Sequence, residues 1–137
     1  MKVILDTNVF VSGVFFTGPP HMILEAWRDK KISLVISLEI LEEYRRVGNL
    51  LSEKFPGVDL NPLLDLVTIE SELVTPPEFQ EGVCQDPDDD KFIACALASA
   101  TTIIVTGDKH LLEVSGYGDI RIVKPRVFFE EFLRKRN

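Results

Sequence analysis

The sequence predicts an α/β fold, a three-layer α/β/α sandwich around a central parallel sheet of about five strands. Three observations lead there. Short apolar runs rich in Val and Ile recur along the chain, stretches of helical period separate them, and turn or capping residues stand at the junctions. Strands that alternate with helices pair in parallel, because each crossover carries the chain back to the same edge of the sheet. Length and composition agree: 137 residues, 45% hydrophobic and 27% charged, predict one domain spanning residues 1–137 with a core of its own.

The elements can be justified in order. Residues 1–6 hold the continuous apolar run Val3-Ile4-Leu5, the pattern of a strand buried on both faces. Residues 19–30 place Met22, Ile23, Ala26 and Trp27 at core spacing on a helix. Residues 32–36 are apolar and β-branched, a second strand, and Ser37 can cap a helix that runs to about Leu51. Pro56 and Gly57 mark a loop, and residues 60–71 form a further helix through Leu63, Leu64, Val67 and Ile69. A short strand over 72–75 ends at Pro76-Pro77. Asp86-Pro87-Asp88 opens a helix to about Ala100. Residues 102–106 are a strand, Gly107 a turn, Asp108 the start of a short helix, 120–123 the fifth strand, and Pro125 the start of the terminal helix.

Charge and cysteine usage exclude some functions. The net charge of −7 counts against a nucleic-acid binder, which draws on Lys and Arg for phosphate contacts, unless carboxylates converge on metal ions that neutralise them locally. Cys84 and Cys95 give no disulfide framework and are expected to be reduced thiols, with Cys95 buried in an Ala-rich run. No stretch approaches the ~20 apolar residues that cross a bilayer. Asp6 and Asn8 interrupt any signal-peptide core, so the chain is expected to start at Met1 and to stay in the cytoplasm.

The acidic residues carry the functional argument. In parallel sheets ligands bind outside the carboxyl ends of the strands, and Asp6 and Asp108 both stand at such ends. Either could equally cap the helix that follows. Glu43 falls on the apolar stripe of Ile36, Ile40, Val47 and Leu51, where a carboxylate needs a partner; an Arg neighbour would serve. Asp86, Asp88, Asp89 and Asp90 crowd one helix start, where capping and dipole compensation account for at least some of them. Asp90 aligns with Ile93, Ala94 and Leu97, and Asp89 with Phe92, Ile93 and Ala96, so periodicity leaves the two tied. Two carboxylates ~5 Å apart repel by about 3 kcal/mol at an effective dielectric of ~20, so a shared site must protonate or take cations. Oxygen donors without a nearby histidine favour Mg²⁺ or Mn²⁺ over zinc, and His21 and His110 are expected to be surface residues.

Four segments, LDTNVFVSG at 5–13, SLEILEEYRRV at 37–47, DPDDDKFIACALAS at 86–99 and VTGDKHLL at 105–112, together resemble the PIN-domain family, in its prokaryotic toxin-like branch related to VapC ribonucleases. The resemblance implies a PIN-like fold and a metal-dependent endoribonuclease whose acids are Asp6, Glu43, Asp90 and Asp108, with Asp90 preferred to Asp89 only by that analogy. Asn8, Ser12 and Thr106 match supporting polar positions, and Asp86 or Asp88 could assist a second metal. It further implies one or two Mg²⁺ or Mn²⁺ ions, a metal-activated water, RNA as substrate, products with 5′-phosphate and 3′-hydroxyl ends, an antitoxin partner and a homodimer. Arg45, Arg46 and Lys109 are the leading candidates for substrate contact; Lys54, Lys91, Arg121, Lys124, Arg126 and the tail over 134–136 complete the basic inventory. A non-catalytic PIN-like module that binds RNA or protein is the rival. A phosphatase expects a second Asp two residues after Asp6, where Asn8 stands, and a phospho-receiver expects an Asp on the third strand, which has none.

Overall fold

Five parallel strands lie in the order β3-β2-β1-β4-β5 in the computed structural model, which describes residues 1–77 and 82–134. They are β1 (Lys2–Leu5), β2 (Ser33–Ile36), β3 (Glu72–Leu73), β4 (Ile103–Val105) and β5 (Arg121–Val123). Among the described residues seven α-helices fill the connections and make the predicted three-layer sandwich: α1 (Thr7–Phe15), α2 (Pro19–Arg28), α3 (Leu38–Lys54), α4 (Asn61–Glu70), α5 (Asp90–Ser99), α6 (Lys109–Leu112) and α7 (Pro125–Phe128). Val3, Ile4 and Leu5 are 0% exposed, so β1 is covered on both faces, as its unbroken apolar run requires. α5 packs against both β2 and β4, the strands that flank β1, and therefore lies across the middle of the sheet.

Local signals set most boundaries. Ser37 Oγ accepts from Ile40 N at 3.3 Å and caps α3, which runs one turn beyond the predicted end. Asp86 Oδ1 accepts from Asp88 N at 3.0 Å and caps a 3-10 turn, Pro87–Asp89, ahead of α5. Ala100 closes α5 in the left-handed region, at φ 56°. The third strand is shorter than expected, two residues, and the terminal helix passes after one α-turn into a π-helical stretch, Phe129–Leu133.

One helix carries no sequence signal beyond the capping option at Asp6. α1 reads TNVFVSGVF, rich in β-branched residues with Ser and Gly, a poor helix former by propensity. Tertiary packing overrides that preference. Phe10 stacks on Tyr44 of α3 with centroids 4.2 Å apart and planes 5° from parallel, and both rings are fully buried. The Tyr44 hydroxyl donates to the Leu5 carbonyl, so α3 is tied to the last residue of β1. Gly13 lets α1 approach α2: a Cβ there would lie 2.7 Å from both the Pro20 carbonyl oxygen and Leu24 Cδ1. His21 Nδ1 donates to the Gly13 carbonyl at 3.0 Å across the same junction, and its Nε2 lies 2.8 Å from Glu25 Oε1. Both cysteines are buried and free, and burial pushes the Cys95 thiol up to about 12.

Among the described residues, no helix is long and apolar enough to cross a membrane. Replacing Gly13 by Ala would press a methyl against backbone that cannot rotate away. The expected outcome is a loss of about 1–3 kcal/mol, read as a Tm several degrees lower in a thermal melt; an unchanged Tm would contradict this close approach.

Candidate active site

The chain runs outward from β1 through β2 to β3, then returns to β4 on the other side of β1 and continues to β5. Strand order therefore reverses between β1 and β4, and at such a point the two diverging connections leave a crevice at the carboxyl edge. Asp6 follows β1 and Thr106, Gly107 and Asp108 follow β4. The Asp6 backbone N–H still donates to Val105 O at 2.9 Å, extending the ladder to the crevice itself.

Thr106 links the two strand ends. Its hydroxyl, fully buried, donates to Asp6 Oδ2 at 2.6 Å and accepts from the Asp108 backbone N–H at 3.0 Å. Asp6 occupies the N-cap position of α1 but makes no side-chain cap bond, because this hydroxyl holds its carboxylate. Asp108 does cap: Oδ1 accepts from His110 N at 3.1 Å. Burial holds the Asp6 carboxyl above the ordinary carboxylate range; hydrogen bonds from Thr106 and the Thr7 backbone oppose that shift, and the charges of Glu43 and Asp108 add to it.

Glu43 reaches the same neighbourhood from α3. Its Oε2 accepts from the hydroxyl of Thr7, the first residue of α1, and its Oε1 is paired with Lys91 Nζ at 2.8 Å. Arg46 stands 3.8 Å from the same oxygen. The core-facing carboxylate thus has the cationic partner that its burial demands, with a lysine from α5 rather than an arginine in the closer place.

Asp89 and Asp90 separate clearly. Asp90 Oδ1 accepts backbone N–H groups of Val83, at 3.2 Å, and Cys84, at 2.8 Å, and so anchors the segment before α5. Asp89 turns toward Asp108. Its carboxyl is pushed up to about 7, first by burial, then by a hydrogen bond and charge from Asp108, with Asp6 and Asp86 adding their charges. Its Oδ2 is buried and has no hydrogen-bond donor. A helical wheel could not separate the pair because Asp89 ends a 3-10 turn, which advances about 120° per residue instead of about 100°.

The remaining predicted residues are placed as follows. Asn8 is exposed and Ser12 half-buried, and among the described residues neither side chain hydrogen-bonds one of the acids. Asp86 is an exposed cap and Asp88 is exposed. Arg45, Arg46 and Lys109 are exposed. Arg121 pairs with Glu131 at 2.5 Å and Arg126 with Glu130 at 3.9 Å; residues 135 and 136 of the basic tail lie outside the described residues. His21 and His110, both expected at the surface, are half-buried, and His110 Nδ1 is buried without a partner. Thr7 is the contributor that sequence reasoning missed, although it sits inside the DTN segment.

The donors suit a hard divalent cation. Among the described residues no three His, Cys, Asp or Glu side chains already form a cage for an ion. Mg²⁺ does not require one, since it keeps several waters and binds through one or two carboxylates. What fits it here is an all-oxygen set in which Asp89 Oδ2 is buried without a donor and the Asp89 carboxyl lies under the charges of Asp108, Asp6 and Asp86.

An α/β/α domain with carboxylates gathered at its switch point is the class that fold and site define. The chain belongs to the PIN-domain family, whose model matches residues 2–110. It is similar to an uncharacterized protein of Methanocaldococcus jannaschii, 33% identical over 145 aligned positions that cover 96% of this chain and 92% of the relative. PIN domains are in general nucleases that use divalent metal ions, and membership points to nuclease-type hydrolysis here.

Burial and neighbouring carboxylates push the Asp89 carboxyl up to about 7, and burial also raises that of Asp6, so both groups favour the folded state below the ordinary carboxylate range and the metal-free protein should lose the Asp89 contribution as pH rises from about 4 through about 7. Thermal melts in EDTA should therefore show a lower Tm at pH 7.5 than at pH 5, with added Mn²⁺ restoring it chiefly at pH 7.5. A Tm indifferent to Mn²⁺ at both pH values would contradict the arrangement.

Proposed function

We propose that the protein is a metal-dependent endoribonuclease that hydrolyses RNA phosphodiester bonds. The observation that carries this reading is the Thr106 hydroxyl, which holds Asp6 and Asp108 together across the β1–β4 crevice with Asp89 turned toward them. Asp6, Asp89 and Asp108 would hold Mg²⁺ or Mn²⁺, with Asp90 on the same turn and Glu43, held by Lys91 and Thr7, completing the centre through water. The bound ion would supply an activated water at neutral pH and a counter-charge for the phosphate oxygens.

The chain's own residues do the rest. Thr106 fixes the Asp6 carboxylate, so its reach into the crevice costs no reorganisation during the reaction. Thr7 and Lys91 fix Glu43 in the same way. Arg45, Arg46 and Lys109 are exposed cations on α3 and α6 and would supply contacts to the sugar-phosphate backbone. Asn8 and Ser12 lie on α1, the helix that follows Asp6, and would bond substrate or ordered water. No side-chain nucleophile is required.

The resemblance to VapC ribonucleases extends the reading: a cytoplasmic toxin, self-associating and silenced by an antitoxin protein. Resemblance is all that supports these further points. Wild-type protein should cut single-stranded RNA with Mg²⁺ or Mn²⁺, stop in EDTA, and lose about 100-fold or more of its rate as Asp6→Asn, a change that keeps the side chain's size and removes its charge. Cleavage that survives EDTA or Asp6→Asn would sink the proposal. Expression of wild type should slow growth where Asp6→Asn does not; equal growth would remove the toxin role and leave the nuclease reading intact.

A further inference from the structure

The cations of this protein are distributed unevenly over its acidic centre. Among the described residues, none of Asp6, Asp89 and Asp108 is ion-paired with a Lys, Arg or His side chain; their partners are the Thr106 hydroxyl, backbone N–H groups and one another. Glu43 differs. Lys91 Nζ lies 2.8 Å from its Oε1, Arg46 stands 3.8 Å from that oxygen, and Thr7 donates to its Oε2. The Lys91 and Glu43 side chains are only 14% and 18% exposed, so this is a largely desolvated pair.

Lysine is an unusual choice at this position. Lys91 is the second residue of α5, and the N-terminal turn of a helix is where the dipole disfavours a cation. Placing a lysine ammonium there, nearly out of water, is favourable only if a carboxylate compensates it, and removing either partner strands the other. Phe92, whose ring centroid lies 5.7 Å from the ammonium, contributes weakly.

We infer that Lys91 is the built-in cation of the centre: its ammonium occupies Glu43, so that the site takes one divalent ion, at Asp6, Asp89 and Asp108, rather than two. Two-metal hydrolases hold their ions about 3.5–4 Å apart on shared carboxylates. A second ion here would have to share Glu43 with Lys91, and the ammonium repels it. Lys91 acts through Glu43 and is a positioning residue. The inference rests on the metal-dependent reading above and goes beyond it by assigning the ion count to one lysine.

The test is a Mn²⁺ titration of the full chain, with free Mn²⁺ followed by electron paramagnetic resonance, on wild type, Lys91→Gln, Lys91→Arg and the double variant Lys91→Gln with Glu43→Gln. Wild type and Lys91→Arg should bind one ion per chain, Lys91→Gln two, and the double variant one again, since the freed carboxylate is gone. A thermal melt of each variant separates a change in ion count from misfolding, and the Lys91→Arg and double variants keep the test decisive if Lys91→Gln alone is poorly folded. Two ions on the wild type, or one on a folded Lys91→Gln, would overturn the inference. Wild type that binds one ion without cutting RNA, with the variants in the expected order, supports the inference and overturns the nuclease reading. Wild type that binds none overturns both.

Discussion

The hydroxyl of Thr106 carries two hydrogen bonds that join neighbouring strand ends: it donates to Asp6 on one and accepts from the backbone of Asp108 on the next. Much of the architecture serves to put it there. Parallel pairing of β1 with β4 brings Leu5 level with Val105, and the Asp6 N–H to Val105 O bond carries the register one step further. A slip of one residue would turn the hydroxyl to the opposite face of the sheet. A fully buried hydroxyl is costly without partners, so the same pair of bonds that organises the acids also selects the register.

Around that point the protein concentrates negative charge it cannot satisfy alone. Asp6 and Asp89 are held toward their protonated forms, whereas Glu43 has found a lysine. This contrast also bears on the net charge of −7, which opposes binding to a polyanion. Part of the excess sits in the crevice, where a divalent ion would cancel it, and the exposed Arg45, Arg46 and Lys109 stand on elements that border the same edge. Part of the basic inventory is already committed elsewhere, in the Arg121–Glu131 and Arg126–Glu130 pairs.

The fold was legible wherever a local pattern and the final environment agreed. β1, β2, β4 and β5 are apolar because they are buried, and Ser37 and Asp86 cap the elements that their positions announce. α1 was not legible, because its Val, Thr and Gly residues are chosen for contact with α2 and α3 against their own helix propensity. The site was half legible. Asp6 and Asp108 could be placed from their strands alone, and the apolar stripe of α3 marked Glu43 as needing a partner. The different surroundings of Asp89 and Asp90 depend on a single 3-10 turn, and the pairing of Glu43 with Lys91 joins residues 48 positions apart. Neither is written in any periodicity.

The central claim is that carboxylates gathered at the β1–β4 switch point form a divalent-cation site. Anomalous diffraction from a crystal soaked in Mn²⁺ addresses it most directly. The account predicts a manganese peak in the crevice, coordinated by Asp6 and Asp108 with an Asp89 oxygen turned to it, and with Thr106 still bonded to Asp6. A crevice without manganese, or an ion bound to acids that exclude Asp6 and Asp108, would contradict it.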